Sequence, residues 1–200
     1  MIFVEITREL ERRPMTNSIY FLRHAETKID PNRPIREWDI SEAGRRSTIA
    51  LSKSEVFSKI EGIIHSSENK AKQTADIFAD VLDLQTYELP ELDELHRDHE
   101  TPLTNEEYRE CVFQTLTDWE TNVPEWESGE DALDRFLEGI RRINLMFSNK
   151  DILVVSHGIV LTLYFSALKH FWNIAYERWA LLKFLNWGLV RDDRVLIDII

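Results

Sequence analysis

Cysteine is almost absent from this 200-residue chain. Cys111 is the single one, so no intramolecular disulfide can form, and a lone thiol fits a reducing compartment better than a secreted, disulfide-stapled scaffold. Glycine and proline are also scarce, six of each, which excludes collagen-like and linker-rich organisation. No uncharged apolar run reaches the ~18 residues that a spanning helix needs. The opening MIFVEITRELERRP is interrupted by Glu5, Arg8 and Glu9, unlike a signal peptide. The expectation is a cytoplasmic protein that does not enter a membrane. Positive charge is short too: 24 Lys+Arg face 36 Asp+Glu, a formal net charge of -12. Such a chain repels polyanions and offers no basic face for nucleic acid. If its substrate carries phosphate, a few cations must be gathered in one pocket against the global field.

What is present is a folded-domain composition, 43% hydrophobic and 30% charged. Residues 19–24, IYFLRH, read as a short apolar strand ending in Arg and His. A helix begins near Ser41, with Ser-Glu-Ala-Gly as its cap and first turn. A second strand is read at 61–66, EGIIHS. From Asn69 to about Asp83, Ala71, Thr74, Ala75, Phe78, Ala79 and Leu82 recur at helical spacing. A strand-like QTYEL and the Pro90 break follow. Residues 104–148 read as two amphipathic helices parted by the Pro124 and Gly129 region. Cys111 shares a helical face there with Tyr108, Val112, Leu116 and Trp119, which points to packing rather than nucleophilic chemistry. DILVVS, 151–156, is a third apolar strand, running into His157-Gly158 and a further helix to 168. LLKFLNWGLV and VLIDII suggest a closing pair of strands.

Strands alternating with helices of this length predict an α/β fold: a single domain, its mainly parallel sheet flanked by helices on both faces. The expected boundaries are an N-terminal extension over 1–17 and a domain over 18–200 with a helical insertion at about 99–148. Sites in such sheets lie at the carboxyl ends of the strands, where His24 and His157 both fall. Alone, either histidine is more often a structural residue than a nucleophile.

Five segments change that weighting. Leu22-Arg23-His24-Ala25-Glu26-Thr27, Trp38-Asp39-Ile40-Ser41-Glu42-Ala43-Gly44, Lys70-Ala71-Lys72-Gln73-Thr74-Ala75, Leu92-Asp93-Glu94 and Val154-Val155-Ser156-His157-Gly158 occur in this order. Together they resemble the signatures of the histidine phosphatase superfamily, which includes phosphoglycerate mutases and small phosphatases. The resemblance implies a phosphoglycerate mutase-like fold and a metal-independent phosphomonoesterase acting on a small phosphorylated substrate through a phosphohistidine. By resemblance, His24 is the nucleophile, Arg23 a phosphate clamp, His157 a donor to the phosphate and Glu94 the proton donor, with Thr27 and Gly158 beside the substrate. Each residue type suits its task. A planar guanidinium grips two oxygens, an imidazole nitrogen can attack phosphorus, and a carboxylic acid can protonate a leaving alkoxide.

Two positions depart from the family pattern, Lys70 and Asp30, and others leave a choice. Lys70 replaces the usual arginine as an auxiliary phosphate ligand, which keeps the charge and loses the fork; Arg97, three residues after Glu94, is the alternative cation for that role. A surface lysine at Lys70, and a surface ion pair of Arg97 with Asp98 or Glu100, are the plainer readings. Glu91 competes with Glu94 for the acid. Asp30 stands where mutases often have asparagine, with Asn32 close by. His96 and His99 form an H-x-x-H spacing that lacks a third supporting ligand, so no metal is assigned. NAD and ATP motifs are absent, and no cofactor is expected. Two further readings stay open: a mutase returning the phosphoryl group to a substrate, and a low-turnover phosphate-binding regulatory module. Substrate identity and oligomeric state are not readable. Trp119, Trp126 and Tyr108 could line a pocket mouth, though core packing is the commoner use of such aromatics.

Overall fold

The computed structural model describes residues 17–97, 103–121 and 123–200. The expected extension therefore falls outside the described residues except for Asn17, as do Asp98, His99 and Glu100. Six strands form one sheet: β1 (Ser18–Arg23), β2 (Gly62–His65), β3 (Thr86–Glu88), β4 (Asp151–Ser156), β5 (Trp187–Arg191) and β6 (Arg194–Ile197). Their order is β3-β2-β4-β1-β5-β6. The first four run parallel, and β5 and β6 extend the sheet as an antiparallel pair. The fold is the α/β class expected from the pattern, and the tail does supply the closing pair of strands.

Alternation along β1 divides the molecule into two layers. Ile19 and Phe21 point into the larger core with Ile64, Ile152 and Val154, while Tyr20 and Leu22 turn to the other face with Ile63, Leu153 and Val155. Side chains on a strand alternate between faces, so one strand serves both cores. Two helices, α1 (Glu42–Ser52) and α2 (Asn69–Leu82), lie on the smaller side, where Ala71, Ala75 and Phe78 meet the sheet. On the larger side are α3 (Asn105–Thr117), α4 (Gly129–Met146) and α5 (Gly158–Lys169), contributing Leu116, Phe136 and Phe165 among others. A short α6 (Ala175–Leu181) was not foreseen from the sequence. None of the described helices is long and apolar enough to cross a membrane.

Local chemistry sets the helix starts. Ser41 accepts from Gly44 N at 2.9 Å to begin α1. Thr104 and Glu107 form a capping box on α3, and Ser128 caps α4 through Asp131 N at 3.0 Å. Gly44 is required by close approach, since a Cβ there would lie 2.5 Å from the Glu26 carbonyl oxygen. That contact seats α1 against the segment that follows His24.

Phe21 anchors the larger core. It is fully buried, and its ring centroid lies 5.0 Å from Tyr164, 5.7 Å from Phe165 and 6.1 Å from Phe136. Truncation to alanine removes a ring that three neighbours cannot collapse to replace. Phe21→Ala is expected to lower the unfolding free energy by about 3–5 kcal/mol, read from urea denaturation; a loss below ~1 kcal/mol would mean that this ring does not anchor the larger core.

Candidate active site

In-register pairing of β1 with β4 sets Arg23 opposite Ser156. His24 N continues the ladder by donating to Ser156 O at 2.9 Å. His24 and His157 thus emerge side by side from adjacent strand ends, with ring centroids 5.1 Å apart. Both are buried, His157 completely.

The His24 Nδ1 lies 2.7 Å from the Ala25 carbonyl oxygen. A carbonyl only accepts, so Nδ1 carries the proton and Nε2 keeps its lone pair. Burial is the main cause holding the His24 pKa well below its ordinary value, aided by His157, Lys70 and Arg23. His157 is also shifted down, by burial first, although Glu68 works the other way. Its Nε2 is hydrogen-bonded to Ser66 Oγ at 2.5 Å, whereas its Nδ1 is buried without a partner among the described residues.

Arg23 is gripped from behind. Its Nη1 donates to Leu182 O at 2.5 Å, and its guanidinium lies 4.5 Å from the Phe184 ring centre, while its buried Nε has no partner among the described residues. The grip comes from a turn closed by Asn186 N on Lys183 O at 3.2 Å. The turn's third residue, Leu185, has φ of 60°, a position that favours glycine. Leu185 N donates to Arg23 O, Arg23 N donates to Asn186 O, and the Leu185 side chain packs into the cores. Nothing in the sequence marked Phe184 or this turn. Gly158 opens α5, and a Cβ there would meet the Arg23 guanidinium at 3.3 Å.

Lys70 is not the surface residue of the plainer reading: it is buried, ion-paired with Glu68 and donating to Ile35 O at 3.1 Å. Glu68 is the residue that sequence reasoning missed. It stood as an unassigned position two before Lys70, and only its spacing from the lysine could have flagged it.

Glu94 lies buried at the start of α5. Its Oε1 accepts from Leu95 N and Val160 N at 3.1 Å each, and its Oε2 accepts from Ile159 N at 3.0 Å. Of roughly four lone-pair sites on a carboxylate, one on Oε2 is left for a proton or a water. Arg135 on α4 fixes this loop, with Nη1 on the carbonyls of Glu91 and Asp93 and Nη2 on that of Glu94. Glu91 instead pairs with Arg142. Arg97 lies over the rings of Tyr108 and Trp126 at 5.2 and 5.4 Å. Burial opposes its charge, but Tyr108, Glu94 and Glu68 hold its pKa above the ordinary value. Tyr108 is therefore tied to the site, Trp126 is buried, and Trp119 packs on Trp172.

The remaining candidates are structural in their contacts. Thr27 is half-buried, its backbone bridged to Ile40. Asp30 Oδ1 accepts from Asn32 N at 3.0 Å, so the two are joined in one exposed turn. Thr74 accepts from Ala25 N at 3.0 Å and Gln73 accepts from Ile40 N at 3.0 Å, which tie α2 to the segment after His24. His96 is exposed, 3.9 Å from Glu127. Burial and Glu110 push the Cys111 thiol up, against a nucleophilic role.

A family model described as the histidine phosphatase superfamily, branch 1, matches residues 19–191. No curated protein sequence matches the chain. Among solved structures, the chain is similar to Bacillus stearothermophilus YhfR at 22% identity, covering 90% of this chain and 95% of that one with a TM-score of 0.73. It is also similar to mycobacterial glucosyl-3-phosphoglycerate phosphatase, at 17% identity, 91% and 98% coverage and a TM-score of 0.71. A mutant phosphoserine phosphatase of Entamoeba histolytica, solved with phosphoserine, aligns at 15% identity, 90% and 94% coverage and a TM-score of 0.69.

Two histidines held neutral by burial make stability depend on pH. Their folded pKa values lie below the ~6.5 of an unfolded histidine, so the unfolded chain binds more protons as pH falls past that value. Stability present above ~6.5 is then lost toward the lower folded values. The urea midpoint is expected to fall between pH ~7.5 and ~5.5, with a smaller fall in His24→Asn; a flat profile in the native protein would mean that the histidines are not held neutral.

Proposed function

The chain belongs to the histidine phosphatase superfamily, branch 1, and from that footing we propose that it is a metal-independent phosphomonoesterase acting on a small phosphorylated substrate through a phosphohistidine. One observation carries the reading: His24 offers an unprotonated Nε2 beside the buried Arg23 Nε, a donor without a partner among the described residues, and beside the buried His157 Nδ1, which likewise has none and donates when the Ser66 hydroxyl supplies the hydrogen to His157 Nε2. Buried donors without partners are costly unless a ligand satisfies them. A phosphoryl group, with charge on three equatorial oxygens in transfer, is the ligand that they suit.

In the first step, the His24 Nε2 lone pair forms the bond to phosphorus as the ester P–O bond breaks. The leaving oxygen takes a proton, for which the remaining lone-pair position of Glu94 Oε2 is the assigned carrier. In the second, Glu94 takes a proton from water as its oxygen attacks phosphorus and the P–N bond breaks, which returns His24 and releases inorganic phosphate. Arg23 and His157 hold the equatorial oxygens through both steps. The phosphatase names of two proteins with this fold support hydrolysis.

The mutase alternative is less well served by the charges. Arg23, Lys70 and Arg97 are set against the carboxylates of Glu68 and Glu94, a small surplus for holding a bisphosphorylated intermediate.

Hydrolysis of para-nitrophenyl phosphate in chelator is expected from the native protein, with a loss of at least ~10³-fold in His24→Ala. Native activity that survives the substitution would sink the phosphohistidine. Glu94→Gln is expected to lower kcat/KM, which reports the first step alone, by ~10²-fold or more for alkyl phosphates and much less for aryl phosphates, because an aryloxide leaves without a proton. An equal fall of kcat/KM for both would take the acid role from Glu94.

A further inference from the structure

A lysine in the first turn of a helix sits where the helix dipole is already positive, and Lys70 does so while buried near the two histidines. An ammonium so placed is costly without an anion beside it. Glu68 resolves the conflict. It is the N-cap residue of α2, yet its side chain makes no capping bond to that helix. One oxygen, Oε2, pairs with Lys70 Nζ; the other, Oε1, accepts from Glu94 N at 3.0 Å and lies 3.6 Å from His157 Nε2. Ser66 Oγ, hydrogen-bonded to His157, also accepts from Glu68 N at 3.2 Å. A single buried carboxylate thus touches the auxiliary cation, the backbone of the acid and the second histidine.

This is an odd place for an anion if the pocket's task is to hold phosphate tightly. A carboxylate among the phosphate-facing cations repels an incoming phosphate and occupies one of the three donors of the lysine ammonium. Ile35 O takes a second, so Lys70 has one N–H left for a ligand. A hydrolase, however, must release inorganic phosphate after every turnover, and a full set of free cations would retain it.

We propose that Glu68 is a positioning residue that keeps Lys70 and His157 in place and, by holding part of the lysine's charge, weakens the site's grip on inorganic phosphate so that the product leaves. The inference deepens the phosphatase reading and rests on it for the meaning of product release. The binding effect itself needs no turnover.

The test compares phosphate affinity, by calorimetry with inorganic phosphate, in the native protein, Glu68→Gln, Lys70→Met and the double variant. Glu68→Gln is expected to bind phosphate roughly tenfold more tightly, the scale of one modest charge interaction. Its kcat and KM for para-nitrophenyl phosphate should fall together as release becomes limiting. Lys70→Met is expected to cost less than about threefold in the native background and about tenfold in the Glu68→Gln background. Unchanged or weaker phosphate binding in a folded Glu68→Gln protein would overturn the proposal, as would an equal effect of Lys70→Met in both backgrounds. Should Glu68→Gln fail to fold, the double variant, which removes both buried charges, decides: binding within about threefold of native supports the pairing, and a tenfold loss overturns it. Phosphate that binds as expected to a protein without esterase activity would sink the phosphatase reading and leave the Glu68 effect standing.

Discussion

The site depends on the register between β1 and β4. Parallel pairing brings Arg23 level with Ser156, and one further backbone hydrogen bond brings His24 level with the turn that carries His157. Because strand side chains alternate, a slip of one residue would exchange Phe21 for Leu22 between the two cores and turn Arg23 to the other face. Each core is packed around the strand residues it receives, the Phe21 ring among Phe136, Tyr164 and Phe165 and Leu22 in the smaller cluster, which makes that exchange costly. Packing far from the histidines therefore sets the distance between them.

Around that pair, low dielectric and paired charge act in opposite directions. Burial keeps both imidazoles neutral, while buried Lys70 is retained by the neighbouring Glu68, whose carboxyl stays well below the usual range because the Lys70 ammonium and the Glu94 N–H outweigh its own burial. The other groups are held from distant parts of the chain: Arg23 by the Leu182 carbonyl, Glu94 by the first turn of α5, and the loop of Glu94 by Arg135 of α4. The chemistry is supported at one remove by residues of no special type.

Much of this was legible in sequence. The strands ending in His24 and His157, the helix start at Ser41, the Lys70 helix and the closing strands follow from periodicity and cap chemistry, which are local signals. The ordered motifs named the family. What stayed hidden were long-range partnerships. Nothing local says that Glu68 turns away from its own helix, that Arg135 reaches three carbonyls some 40 residues upstream, or that Phe184 lies on Arg23. The Gln73 and Thr74 positions were recognised by resemblance, and their work proves to be in hydrogen bonds to Ile40 and Ala25 across the fold. Short α6 escaped because its seven residues bury only Ala175 and Arg178, too few for a periodic pattern.

Leu185 shows how such partnerships shape what can change. A glycine would relax the left-handed backbone there, so local conformational preference alone favours replacement. The leucine side chain, however, is inserted between the cores and ties down the turn that lays Phe184 across Arg23. Sequence drift at this position is thus caught between two demands, and a substitution chosen to make the chain more robust would loosen the wall of its own pocket.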